Sequence, residues 1–479
     1  MDLTKLNKII TSKGYSIRKS CLTEKQITMI EKQCTVEPKV DDRFKTKGDH
    51  SFRIYKESPE RYYLPREWAT LHFGIPDTSI LVDGNDLSSE AATFVGKPYD
   101  YQIDIINTYL NSKRNGLICV PCGKGKTFMA LNIASNIKKR FLIVVDKEFL
   151  MNQWKGEMKN LMPNLRVGII QADKRESDVE KYDCSICMIQ TLCIQSFPDN
   201  FFSTYGFTIF DECHHLGAQH FSKALFKIQT KKMLGLSATP TRADGLTKVF
   251  EMFLGKPLYW EKVREADPGV IVKGVTITCQ DPDYLRVPYD YKRDVIIPRL
   301  ITYIVECKER NQEIVRWITM LAKDPLRKIL ILSARIAHLQ MLDSLLDKNI
   351  SRSYYIGGMK EEVRESGALT AKVLFASYSM ASEAMNIKSL NAVILASPRS
   401  SIEQSTGRIL RTRISERVVQ PMIVDIIDPH ETIMSQWNRR KAYYNKCSYN
   451  IETMLMGSDN GEISKTDEVD TDACLFSDE

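Results

Sequence analysis

Short, wholly apolar runs recur along this chain, each followed by a stretch of helical character, and that alternation narrows the folds open to it. GLICV (116–120) and FLIVVD (141–146) come first, with a helix starting at GKTFMALNIASNIKKR between them. CSICMIQTL (184–192), FTIFDE (207–212) and MLGLSAT (233–239) extend the series as further strands. A strand that is apolar throughout is buried on both faces, and helices between such strands supply the covering layers. The spacing predicts a parallel sheet over residues 96–260. The same grammar returns over residues 270–430 in KILILS (328–333), VLFAS (373–377), NAVILAS (391–397) and MIVDII (422–427), with IAHLQMLDSLLDKN as a helix. The fold class expected is α/β, with two tandem parallel-sheet lobes.

Around these lobes the chain changes character. Residues 1–95 read as a separate small α+β module, in which FRIY and RYYL form a hairpin across KESPE. Its tyrosines are read as core, and the module as a whole as a nucleic-acid-binding accessory. Residues 261–300 hold Pro, Asp and Gly and read as a connection plus an edge piece. MSQWNRRKAYYNK reads as a late helix closing a second lobe at 270–445, and 446–479 as a disordered acidic tail. From Gly457 onward that tail carries a net charge of −7, so the rest of the chain carries +14 and suits a polyanionic partner. The longest apolar runs are strand-length, too short to span a bilayer. MDLTKLNKII lacks the apolar region of a secretion signal, and the twelve cysteines are scattered, so free thiols in a reducing compartment are expected.

Three blocks have a direct chemical reading. VPCGKGKT follows a strand and opens a helix, as a phosphate loop must. Gly123 and Gly125 let backbone N–H groups turn toward phosphate where a Cβ would obstruct them. Pro121, Cys122 and Lys124 complete the loop, Lys126 is placed to reach the β- and γ-phosphates of ATP, and Thr127 to offer a hydroxyl to Mg²⁺. Val120 stands where the long form of the motif has glycine, so the loop matches the shorter Gly-x-Gly-Lys-Thr form. FTIFDECHH delivers Asp211 and Glu212 to the end of a buried strand, where α/β sheets bind ligands. Asp211 suits the metal and Glu212 the attacking water. His214 suits coupling between sites better than metal binding, since nearby Cys and His lack ligand spacing. Cys184 and Cys187 are three apart on a strand, so they point to opposite faces. QSTGRILR offers Gln404, Arg408 and Arg411, and two guanidinium groups on one helical face can neutralise charge developing on a γ-phosphoryl group.

Taken in order with IQTL, SATP and ASEAMNI, these blocks resemble superfamily 2 helicases over residues 96–415. The resemblance implies RecA-like lobes, ATP hydrolysis and movement on a nucleic-acid strand. It implies that Gln102 reads adenine, that Gln190, Thr191 and Arg335 contact the strand, and that Ser237 and Thr239 link hydrolysis to lobe movement. Glu383, Ala384 and Asn386 depart from the Glu-Gly-x-Asp pattern of the family. The Gln404 start of the last block and the DECH box resemble DNA-acting members. With FRIYKESPERYYLPREWATLHFG, the whole chain is similar to the poxvirus transcript-release DNA helicases. That implies a late, virion-packaged protein working in the host cytoplasm. Its partners would be single-stranded and duplex DNA, RNA as the alternative, and a transcription elongation complex with its factors. An RNA helicase and an ATP-switched remodeller of a polymerase are the other readings.

Overall fold

The computed structural model of the 479-residue chain describes residues 7–39 and 51–457, apart from 122, 218, 229, 239–240, 243, 262–265, 384, 386, 388 and 411–413. The expected acidic tail beyond 457 therefore lies outside the described residues, as do Cys122, Thr239 and Arg411. The chain divides into two compact units, residues 1–262 and 263–479.

In the first unit, eight strands form one sheet in the order Lys174–Arg175, Val167–Gln171, Cys184–Met188, Phe141–Val145, Phe207–Phe210, Lys232–Ser237, Gly116–Cys119 and Pro257–Trp260. Every pairing is parallel except that of the short first strand. Period-two alternation sorts the side chains into two cores. Leu117, Leu142, Val144 and Cys187 face one, and Ile118, Ile143, Val145 and Cys184 face the other. Cys184 and Cys187 thus stand on opposite faces. IQTL is not strand: the chain turns into a short helix, Ile189–Ile194, as soon as Met188 ends the strand.

The described part of the N-terminal region is not separate from this lobe. Its five-stranded sheet and the helix Arg66–Phe73 put Tyr15, Ile17, Leu64 and Trp68 into one continuous core with Leu117, Leu142 and Phe250. The buried Arg66 guanidinium donates to the Thr230 carbonyl at 2.9 Å, and Asn115 donates to the Glu67 carboxylate at 2.9 Å. The hairpin forms between Lys56–Glu57 and Arg61–Leu64, whereas Phe52–Arg53 pairs with Thr35–Val36 instead. The tyrosines Tyr15, Tyr55 and Tyr62 are core residues.

The second unit is a wholly parallel seven-stranded sheet, ordered Arg352–Tyr355, Val373–Ser377, Ile329–Ser333, Ala392–Leu395, Met422–Ile427, Ile271–Thr276 and Asn450–Leu455. Two expectations are corrected here. Ile271–Thr276 is an interior strand, paired on both sides, and its glycine is tolerated because Gly274 lies under Trp437 and Ile427. Asn450–Leu455, read as the start of the tail, is the edge strand beyond it, half-exposed and hence polar in sequence. The helix Glu431–Lys446 precedes it.

Candidate ATP-hydrolysing site

The loop from Val120 to Gly125 joins the strand Gly116–Cys119 to the helix Lys126–Ile137. Its two glycines are used as glycines: Gly123 has φ 90° and Gly125 φ 80°, in the left-handed region. A Cβ on Gly125 would also fall 2.5 Å from the Gln102 amide nitrogen. That amide is buried and committed to the loop. Gln102 donates to the Lys124 carbonyl at 3.1 Å and accepts from the Tyr99 N–H at 3.1 Å, and the Tyr101 hydroxyl donates to the same Lys124 carbonyl at 3.2 Å. The residue expected to read adenine therefore also fixes the back of the phosphate loop. Lys124 pairs with Glu261 at 3.4 Å, and Pro121 accepts from the Lys124 N–H. Thr127 is half-buried at the second position of the helix.

Opposite the loop, the strand Phe207–Phe210 ends in Asp211 and Glu212. Asp211 is tied to the sheet by its N–H, which donates to the Val144 carbonyl. Its carboxylate accepts from the Trp154 indole N–H at 2.8 Å and from the Glu212 N–H at 3.0 Å. Glu212 has φ 42°, an uncommon value for a residue with a Cβ, and the sharp turn swings its side chain back toward the loop. There its carboxylate meets the Lys126 ammonium at 2.8 Å. Its other oxygen is buried without a hydrogen bond and lies 3.4 Å from the His214 ring.

These contacts drive the two adjacent acids apart. Burial and the Glu212 charge push Asp211 up to about 6, against the pull of Lys126. Burial also pushes Glu212 up, but the ammonium of Lys126, helped by His214, outweighs it and holds the carboxyl down at about 2. His214 is lowered to about 4 by burial, against the attraction of Glu212, and is therefore neutral near pH 7. It shares a 3.0 Å hydrogen bond with the Ser237 hydroxyl at the end of the next strand, and its carbonyl accepts from Arg242 at 2.5 Å. His215 faces Asp146 at 3.7 Å. The Thr127 hydroxyl and the Asp211 carboxylate offer oxygen donors of the kind a small hard dication takes.

The other candidates are less concentrated. Gln190 donates to the Asp146 carbonyl at 2.7 Å, and the Thr191 hydroxyl accepts from the Ala172 N–H at 3.0 Å, so both side chains hold neighbouring loops in place. In the second unit, Arg335 donates to the Pro298 carbonyl at 3.2 Å. Gln404 lies in the short helix Glu403–Thr406 and Arg408 in the 3-10 turn Gly407–Leu410 that follows it. Trp154 is the residue that sequence reasoning missed. It closes the stretch VDKEFLMNQW (145–154), but its spacing from Leu150, Met151 and Met158 is that of an ordinary buried helical face, and only the fold brings its N–H to Asp211.

A parallel sheet with a glycine-turned phosphate loop and an acid pair at its strand ends defines a nucleotide-hydrolysing lobe. Comparison with known proteins places it further. The family model described as "Type III restriction enzyme, res subunit" matches residues 96–242. A protein of Acanthamoeba polyphaga mimivirus, provisionally named an ATP-dependent RNA helicase, is 32% identical over 92% of this chain and 86% of its own length. One of African swine fever virus with the same provisional name is 27% identical over 69% of this chain and 68% of its own. The crystal structure of T4 UvsW is 18% identical, covering 91% of this chain and 96% of its own, with a TM-score of 0.36. The chain belongs to the superfamily 2 ATP-dependent helicases represented in large DNA viruses. It is an ATP-hydrolysing enzyme that acts on nucleic acid.

Proposed function

We propose that this helicase moves along a DNA strand at the expense of ATP, and that this movement frees nascent RNA from a stalled transcription complex. The 2.8 Å pairing of Lys126 with Glu212, beside Asp211 and beneath the glycine loop, carries the hydrolytic part of the reading. On ATP entry Lys126 exchanges Glu212 for the β- and γ-phosphates. Glu212, released from the ammonium, becomes the base that orients and deprotonates the attacking water. Thr127 and Asp211 would hold magnesium, which when bound would draw charge from the phosphate oxygens. Arg408 and Arg411, with Gln404, act on the γ-phosphate from the second lobe, the arginine-finger role. The contacts from Glu212 to His214 and from His214 to Ser237 give hydrolysis a short route to the end of the neighbouring strand. Gln190, Thr191 and Arg335 then line the strand path, Gln190 and Thr191 through the loops they brace.

The transcript-release role, the elongation-complex partner and a place in virions and host cytoplasm rest on the likeness to the poxvirus helicases. The basic body supports a polyanionic substrate of either kind. The provisional names of the mimivirus and African swine fever virus relatives favour a second reading, an RNA helicase. ATPase stimulation by single-stranded DNA and by RNA, with strand displacement on duplexes carrying opposite overhangs, separates the two. Stimulation by RNA alone would overturn the DNA reading, and no release of RNA from a stalled complex would overturn the transcriptional one.

A further inference from the structure

The second unit holds a pair of thiols that hydrolysis does not use. Cys279 and Cys307 are 28 residues apart in sequence, yet their sulfurs stand 3.2 Å from one another, and each residue is only 3% exposed. Both are set on rigid supports. Cys279 lies just beyond the interior strand Ile271–Thr276, and its sulfur accepts from the Asp281 N–H at 3.4 Å. Cys307 is the single extended residue (φ −63°, ψ 120°) between the helices Ile297–Glu306 and Lys308–Ala322. Both belong to one core with Tyr284, Leu300, Ile304 and Ile314, so packing holds the sulfurs facing each other.

We propose that Cys279 and Cys307 are a modification site: they close to an intramolecular disulfide when a small-molecule disulfide such as oxidised glutathione reaches them. A disulfide needs the sulfurs at about 2.05 Å, so about an ångström of approach completes the bond from the present geometry. Its chemistry is two exchanges. One cysteine, as thiolate, attacks the small disulfide and expels one thiol. The second cysteine attacks the mixed disulfide and expels the other thiol. The two protein thiols give up two electrons and two protons, and the small disulfide leaves as two thiols. Burial protects the reduced form by holding the Cys279 thiol up at about 12, so little thiolate exists while the core is closed. Reaction therefore follows local opening. The segment spanned by the two cysteines contains the weakly covered turn around Tyr289 and Tyr291, which are 59% and 90% exposed. It also contains Pro298, whose carbonyl holds the Arg335 guanidinium, so the crosslink would fasten that contact to the end of the strand Ile271–Thr276.

The test uses the full chain, incubated with oxidised glutathione and digested without reduction. The expected product is a single peptide pair joining Cys279 to Cys307, with a mass lower by two hydrogens and restored by dithiothreitol. The unfolding midpoint of the oxidised chain should rise by about 5 °C or more, since the bond closes a loop in the unfolded chain. Cys279→Ser and Cys307→Ser should each lose both the linked peptide and the oxidation-dependent rise. The wild-type digest stands by itself if either variant folds poorly. Absence of the linked peptide, even in mild denaturant that permits local opening, would overturn the proposal, as would pairing of either cysteine with a different one.

Discussion

Each unit has an acid immediately after an apolar parallel strand, and the two acids have opposite fates. Asp211 follows Phe207–Phe210, and Asp428 follows Met422–Ile427. Asp428 is fully buried and clamped by Arg310 through two bonds of 2.7 and 3.0 Å, with the Tyr284 hydroxyl as a third donor at 3.0 Å. Asp425, on the same strand, is held likewise by Arg440 and Tyr444. The acid pair of the first unit has softer partners: an indole N–H, a backbone N–H and one lysine. The Lys126–Glu212 pair keeps 12% and 20% of its side-chain exposure. A strand-end carboxylate is a functional group only when its partner can leave. A flexible ammonium can be drawn off by phosphate, whereas a two-pronged guanidinium sealed in a core cannot.

The sharpest way to break this comparison is Lys126→Ala. Hydrolysis should fall by about a thousandfold or more, with a smaller loss of thermal stability, because the Glu212 carboxyl can take up a proton once the ammonium that offsets its burial is gone. Near-normal strand-stimulated turnover would remove Lys126 from the site. Glu212→Gln should give a loss of about a hundredfold or more in turnover with nucleotide binding retained, and full activity there would end the water-activating role.

Arg310→Met should do the reverse of Lys126→Ala. It strands the Asp428 charge in the core and should destabilise the second unit by roughly 3–5 kcal/mol, read as a lower unfolding midpoint. Replacing Asp428 as well should recover much of the loss. If Arg310→Met were as stable as wild type, the clamp would be no clamp.

Acid should act on both units in the same direction. Burial lowers His214 to about 4 and His338 to about 3, the latter between Ser333 and Asn311. Unfolding frees each to bind a proton nearer pH 6.5, so the unfolded state gains protons first as pH falls. The contribution is full above pH 6.5 and is lost toward pH 4 for His214 and pH 3 for His338. The slope reaches at most about 1.4 kcal/mol per pH unit for each group. His338→Asn should flatten the second unit's share of the acid slope, and an unchanged profile of stability against pH would contradict the assignment. The smallest effect expected is that of Gly125→Ala. A left-handed residue with a Cβ costs about 1–2 kcal/mol, and the collision with Gln102 should raise the KM for ATP several-fold. Adding Gln102→Ala should relieve the collision but not the backbone cost.

Much of this was legible from local pattern. The apolar runs declared buried parallel strands, because a strand covered on both faces has no polar positions to spare. PCGKGKT declared a turn that only glycine permits, followed by a helix start. Where a strand is half-exposed, as at Asn450–Leu455, its alternation is polar enough to pass for a tail. Where it carries a lysine and a glycine, as at Ile271–Thr276, it passes for a connection. The N-terminal segment looked independent because nothing local reveals that Tyr15 and Trp68 share a core with Leu117. The sequence by itself determined which residues could grip phosphate and carry charge. Only the tertiary structure decided that Lys126 meets Glu212, that Trp154 holds Asp211, and that Cys279 faces Cys307. These pairs lie 28 to 86 residues apart, and the strand order that closes such distances is set by burial summed over the whole sheet.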